Sequence, residues 1–480
     1  MARYVSRRRL LAGLGAGVAM TAVAACGATP TPQIIEKEVT TIVQGTPQVV
    51  KETVVVTQVQ TQVVKETSVV EKLITSTPLG GAEASIRVFD YDPTGTDAWV
   101  QADKDFEAYF AAKYPNIKVT RDQAPWTGFT EKLLTAIAGG AKYDVIYGYW
   151  EWLPLFIKND VVGPLDDLLA QDAEVKADDF FDYAKEMVEG KTYGLAWFIS
   201  GWLQWYNKDR VDKQGAPDPK ALFKDGKWDY TAWHDFAKKM TYDDAGTPIF
   251  GWSMSEFRNT SVYAMLAWAY GTDYWNDDFS KSLINSPENV EAWKFMQQFF
   301  VEKLTPTPGE TGQGQQGPGF TNGRIVGTQA GQWYTRNIVQ DKAPDLFKIG
   351  MVPFPKGPKG SISVAALNSF YFSKKPDNPL AAFAWYKERS FSDAAAKIYA
   401  AIGGGRFPSR KSVKPATVYP FEDTEVYEWV RPTFRTFRTA PKQSEFEQLF
   451  GAAWDEMALQ SRPVDQILQQ LATEAEALGK

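Results

Sequence analysis

The chain has 480 residues, 44% of them hydrophobic and 23% charged, proportions of a soluble globular protein long enough for two lobes or domains. A net charge of −6 leaves no basic surface for nucleic acid, and a single Cys excludes an intramolecular disulfide. One His argues against a Ser-His-Asp triad or a His-rich zinc site, whereas 17 Trp exceed what core packing asks for.

The first residues form a targeting segment rather than part of a fold. Met1 to Arg9 carries Arg3, Arg7, Arg8 and Arg9, and Leu10 to Ala25 is apolar and uncharged. That stretch falls short of the roughly 20 residues a spanning helix needs. Val23-Ala24-Ala25-Cys26 closes it and resembles a lipobox, which makes 1–25 a signal peptide and Cys26 the acylated residue. Ser6-Arg7-Arg8-Arg9-Leu10-Leu11 resembles a twin-arginine export signal, with Arg7 and Arg8 as its pair; general secretion stays open. Without those four Arg the chain keeps 48 basic side chains against 58 acidic ones, an acidic solvated surface.

Residues 26–84 read as a stalk. They are rich in Thr, Val, Gln, Glu and Lys, and Gln48-Val49-Val50-Lys51-Glu52-Thr53 recurs as Gln62-Val63-Val64-Lys65-Glu66-Thr67. Ile35, Ile42, Val49, Val56, Val63 and Val70 lie seven apart, a coiled-coil-like period. The β-branched residues weaken a helix, so a self-associating coil and an extended linker both stay open.

The body opens with Ile86-Arg87-Val88-Phe89-Asp90 as a strand. A helix follows, marked by Trp99, Ala102, Phe106, Tyr109 and Phe110 and stopped at Pro115. Ile117 to Thr120 is a second strand, Leu133 to Ile137 a second helix ended by Gly139-Gly140, and Tyr143 to Tyr147 a third strand. Alternation of this kind predicts a parallel sheet covered by helices, with ligand beyond the carboxyl ends of the strands. Tyr91, Asp92, Trp126, Thr127, Tyr149, Trp150 and Glu151 then border one crevice. A second block carries a helix over Trp228 to Met240, a strand over Ile249 to Trp252 and a helix over Val262 to Tyr270. A further helix starts at Ser286-Pro287-Glu288. The Gly-, Pro- and Gln-rich stretch from Thr305 to Gly323 reads as a surface loop.

Six phrases, in order, make the chain resemble the extracellular solute-binding proteins of the sugar-importer type, the family of the maltodextrin-binding protein. They are Phe110 to Val119, Lys132 to Gly140 with Asp144-Val145-Ile146, Gly163 to Asp167, Gly190 to Leu195 with Tyr206 to Asp209, Gly331-Gln332-Trp333, and Val352 to Pro355. The resemblance implies a two-lobed α/β fold of the periplasmic-binding-protein type (type II), each lobe a mixed, mainly parallel sheet flanked by helices. The first lobe would hold 85–198 and 365–402, the second 203–362 and 407–480. The crossings would fall near Trp197 to Leu203, Val364 to Ser369 and Ala401 to Phe407. It further implies a sugar ligand and permease subunits of an ABC importer as partners; the lipobox at Cys26 predicts a lipid anchor on the outer face of the membrane, the single His leaves no catalytic or metal set, and a monomeric body without a cofactor is expected.

Sugars present apolar C–H faces and polar hydroxyls, so a sugar site interleaves aromatic rings with Asp, Glu, Asn and Arg. Tyr149-Trp150-Glu151 has that composition. Trp202 sits at the expected hinge, Trp333 matches the family position that stacks on sugar and is followed by Tyr334, Arg406 lies by the third crossing, and Glu256 and Arg258 follow a strand. Against these stand blander readings. Trp152, Trp205 and Trp252 suit packing, Glu256 and Arg258 suit a surface ion pair, Asp166 and Asp167 suit a helix cap, Asp90 suits a strand-end turn, and His234 suits a helix surface. A peptide or polyamine ligand, or a surface carbohydrate-active enzyme, stays open as an alternative.

Overall fold

A computed structural model describes residues 34–43, 46–55, 82–93, 97–172, 174–311, 317–400, 406–415, 417, 419–438 and 442–478. Arg7, Arg8, Cys26, the second copy of the stalk repeat and the glycines at 403–405 lie outside the described residues. Residues 34–55 and the body separate as two units. In the first, β1 (Ile34–Val43) and β2 (Thr46–Val55) pair antiparallel from Ile34↔Val55 to Val43↔Thr46. Over these residues the chain is a hairpin; the rest of the stalk up to residue 81 lies outside the described residues. Alternating Val, Ile and Thr are stiff at χ1 and suit a ladder better than a helix.

The body begins as the alternation requires. β3 (Ala84–Tyr91), the helix Asp97–Lys113, β4 (Ile117–Ala124), the helix Phe129–Ala138 and β5 (Val145–Tyr149) follow in order. β3 pairs parallel with β4 over eight residues and with β5 through Val88↔Val145 and Phe89↔Ile146. The buried Val88, Phe89 and Ile146 on these strands meet Phe106 and Phe110 of the first helix in one core. After the hairpin β6 (Lys185–Val188) and β7 (Lys191–Leu195) comes β8 (Phe198–Asn207). Then follow β9 (Tyr242–Asp244), β10 (Thr247–Trp252), β11 (Ile325–Gly331), β12 (Ile349–Val352), β13 (Ser363–Phe372), β14 (Phe407–Pro408) and β15 (Phe434–Arg435). The large sheet runs β4-β3-β5-β13-β8-β11-β10-β9, with β12 and β14 also on β8 and β15 on β13.

β8 is the strand that makes two lobes out of one sheet. Its residues 198–201 pair with Asn368 to Ala365 of β13, and its residues 202–206 pair with Gly331 to Gly327 of β11. The change of partner falls between Gly201 and Trp202. At Gly201 a Cβ would lie 2.3 Å from the Phe434 ring and 2.6 Å from the Phe407 ring, so only glycine lets these rings close over the crossing. Ser363 ties the same point, its hydroxyl donating to the Trp202 carbonyl at 2.8 Å. Pairs are parallel among β3, β4 and β5 and between β10 and β11, and antiparallel around β8.

Helices of the second block start where their caps do. Asp229 accepts from Ala232 N to open Tyr230–Lys239, Asn259 accepts from Ser261 N to open Thr260–Tyr270, and Ser286 accepts from Asn289 N to open Pro287–Val301. Trp205 and Trp252 are fully buried. Trp152 is only half-buried and stacks on Phe129 at 4.8 Å and 16°. Three blander readings need correction. Asp166 does not cap its own helix; its carboxylate accepts the Thr192 N–H at 3.0 Å. His234 is half-buried, its ring edge-on to Phe299 at 5.5 Å and its Nε2 3.1 Å from Glu302. Asp90 is no turn residue either. It is buried and ion-paired to Arg121 at 2.8 Å. Of the loop 305–323, residues 312–316 lie outside the described residues. No described helix is long and apolar enough to cross a membrane.

Candidate functional site

Every candidate after a strand of the first lobe sits at a carboxyl end. Tyr91 closes β3, Trp126 follows β4, and Tyr149 closes β5 with Trp150 and Glu151 just beyond. Their rings form one cluster. Trp126 lies 6.2 Å from Tyr91, 4.8 Å from Tyr149 and 4.7 Å from Trp152, while Tyr91 lies 5.2 Å from Trp99. Asp92 continues from Tyr91, its N–H bonded to the Ala124 carbonyl at 2.8 Å. On the second lobe, Trp333 and Tyr334 follow β11 and Glu256 follows β10. Trp202 is buried on β8 and meets Trp333 edge-on at 4.8 Å and 88°. Of the 17 Trp, Trp126 (45%) and Trp333 (38%) are exposed and the others are buried or half-buried; these two follow β4 and β11, on opposite sides of β8 in the sheet.

Charge is disposed around these rings in a way that burial controls. Glu151 is pushed up to about 8, first by burial and then by the Glu447 carboxylate of the helix Gln443–Ala458. Burial, followed by Glu151, also raises the Tyr149 hydroxyl well above its ordinary range. Tyr334 is raised by burial, then by Asp341 and Glu256, which puts the exposed Glu256 carboxylate in the field of that ring.

Three expected site residues are otherwise engaged. Trp150 is 5% exposed and lies edge-on to Phe437 at 5.2 Å, so little of its ring is open. Phe437 also touches Trp268 and Tyr274, which joins Trp150 to the second lobe. Arg258 makes a two-point ion pair with Asp455, both N–O distances 2.9 Å, so its surface ion pair is with Asp455 rather than with Glu256. Arg406 is boxed by Phe198, Trp99 and Trp197, at 4.0, 4.1 and 4.9 Å from its guanidinium carbon to the ring centroids. Trp99 stands between it and Tyr91. Sequence reasoning missed Trp99, Phe437 and Glu447 as neighbours of the site. Trp99 alone left a signal, since it starts a helix directly after β3. A group of His, Cys, Asp or Glu fit to hold a metal is absent among the described residues.

A family model described as bacterial extracellular solute-binding protein matches residues 92–388. A protein of Brucella abortus (strain 2308) named as a binding protein is 28% identical over 254 residues, 52% of this chain and 59% of its own length. The maltotriose-binding protein of Pyrococcus abyssi is 24% identical over 251 residues, 51% of this chain and 49% of its own length. The chain thus spans about half the length of these curated relatives. Among solved structures, an ABC substrate-binding protein of Listeria monocytogenes in complex with cycloalternan superposes with a TM-score of 0.68. It covers 82% of this chain and 98% of its own at 22% identity. The sugar-binding protein MalE of Xanthomonas citri gives 0.67 over 82% and 97% at 20% identity, so both share the two-lobed type II fold.

Proposed function

The chain belongs to the bacterial extracellular solute-binding proteins, and from that premise we propose that it captures an oligosaccharide between its lobes by hinge closure and passes it intact to the permease of an ABC importer. The observation that carries this reading is the pair of exposed indoles, Trp126 and Trp333, presented from opposite lobes at strand ends. Closure about β8 brings two apolar platforms onto one ligand, and a chain of sugar rings offers a C–H face to each. Tyr91, Asp92, Tyr149, Glu151, Trp202, Glu256 and Tyr334 supply the polar and aromatic remainder. Relatives named for maltotriose and cycloalternan support a sugar as the ligand class.

The lobes would be 85–198 with 365–402, and 203–362 with 407–480. Cys26 would carry the lipid anchor after export directed by Arg7 and Arg8, and the stalk would hold a monomeric body clear of the membrane. Binding and release, without turnover, would be the whole of its chemistry.

A thermal-shift and calorimetric screen of the mature chain against mono- and oligosaccharides, peptides and polyamines tests the reading, because a ligand of the folded state raises the melting temperature. Saturable binding of one sugar class, recovered intact and weakened by Trp126→Ala and Trp333→Ala, is expected. A shift with a peptide or polyamine and with no sugar would overturn the ligand class. Recovery of a cleaved sugar would overturn the non-enzymatic reading.

A further inference from the structure

A second cavity, of about 80 Å³, opens between the start of β8, the helices Pro379–Phe391 and Asp393–Ala400, and the segment from Arg406 to Lys414. Its walls include Trp197, Phe198 and Tyr399, and its polar lining is Ser390, Arg406, Ser409, Arg410 and Lys414, with no acid among the lining residues. Tyr91, Trp126, Tyr149, Trp202 and Trp333 do not border it. Two of its polar atoms lack a partner. Arg406 Nη1 is buried without a hydrogen bond, and so is the hydroxyl of Ser390, a residue only 7% exposed. Unpaired buried donors are uncommon because each forfeits its bonds to water.

Charge around the cavity is unbalanced in the same sense. Arg389 lies 3.8 Å from the Trp197 centroid and 3.7 Å from that of Tyr399. Its carboxylate partner, Asp103 at 3.3 Å, also accepts from Arg121 and Tyr399. Arg410 is paired with the exposed Asp393 at 2.8 Å. Among the described residues Arg406 has no carboxylate within ion-pair distance, and burial, with Arg389 next, drags it down to about 9. A cavity of this volume exceeds the ~10–15 Å³ that one water needs.

We propose that this cavity is a binding site for a small oxyanion, separate from the sugar cleft, with Arg406 and Ser390 donating at its base and Arg410 and Lys414 at its mouth. The aromatic walls limit its size, and the shared chemistry is that of phosphate, sulfate or the carboxylate of a small acid. Such an anion satisfies both orphan donors at once and neutralises the unmatched guanidinium.

The test is calorimetric titration and thermal shift of the mature chain with sodium phosphate, sulfate or acetate, at fixed ionic strength against chloride. One saturable site per chain is expected, with Arg406→Gln weakening it by at least about tenfold. Ser390→Ala should weaken it less. Because Arg406 is half-buried and packed among Phe198, Trp99 and Trp197, its variant could misfold; the Arg410→Ala/Lys414→Ala double variant is therefore the second arm, and reduced affinity is expected there too. Preference for acetate over phosphate would assign the site to carboxylates. Absence of saturable binding by all three anions, or binding undiminished in the double variant, would overturn the proposal. Sugar titration of the same samples reads the cleft independently, so failure of either site is distinguishable from failure of the other.

Discussion

The indole of Trp333 folds back over Gly331, where a Cβ would lie only 1.5 Å from the ring. Gly331 is the last residue of β11 and pairs with Trp202, whose own ring meets Trp333 edge-on. The exposed platform of the second lobe therefore depends on a residue with no side chain. Gly331→Ala should displace the indole and cost sugar binding about 1–3 kcal/mol, close to the loss from Trp333→Ala. Calorimetry with the best sugar from the screen reads the loss, and near-ultraviolet circular dichroism reads the broken Trp202–Trp333 pair. An unchanged affinity in Gly331→Ala would show that the ring position is immaterial to binding.

Gly201 makes the comparable demand at the crossing. Phe434 and Phe407 close over it at distances that forbid a Cβ. Gly201→Ala should therefore destabilise the body by about 1–3 kcal/mol through forced ring displacement. Urea unfolding of the variant reads this as a lower midpoint with an unchanged slope. If the midpoint does not move, the packing over the crossing is looser than the distances indicate.

The strand ends were legible because they depend on local pattern. Val88, Phe89 and Ile146 announce buried strands, Pro115 and Gly139-Gly140 stop the intervening helices, and the carboxyl-end rule then locates Tyr91, Trp126 and Tyr149. What local pattern does not show is partners far along the chain. Trp150 is buried by Phe437, and Arg258 is engaged by Asp455, 197 residues later. No window of sequence contains both members of either pair. The hairpin over residues 34–55 was hidden for a different reason. Apolar β-branched residues seven apart satisfy a heptad count, yet the side chains that create the count also favour the ladder of β1 and β2.

Trp150→Ala should then act on stability before it acts on ligand. Removing a buried indole that packs against Phe437 leaves a cavity worth about 3–5 kcal/mol. Trp150→Phe should retain most of the stability. Chemical denaturation without sugar reads the difference. A full-stability Trp150→Ala protein with weakened sugar binding would return Trp150 to the ligand platform.

Two carboxyls give the body a pH dependence of definite sign. Glu186 is buried and accepts the Tyr371 hydroxyl at 2.6 Å and the Ser369 hydroxyl, yet burial pushes it up from 4.5 to about 7. Glu151 is pushed up to about 8 by burial and then by Glu447. A carboxyl whose pKa is raised by folding holds its proton more tightly in the folded state, so its contribution is fully present below its unfolded value and is lost as pH rises through the folded one. Stability should fall between pH about 4.5 and about 8, by about 3 kcal/mol for Glu186 and by a smaller, solvent-screened amount for the half-buried Glu151. Glu186→Gln should flatten the decline below pH about 7, and Glu151→Gln the remainder up to about 8. Glu447→Gln should leave Glu151 raised by burial alone and so narrow its window without abolishing it. Urea unfolding across the range reads each slope. Stability that rises with pH over this window would mean that both carboxyls are ionised in the folded protein, and that their hydrogen-bond donors outweigh burial.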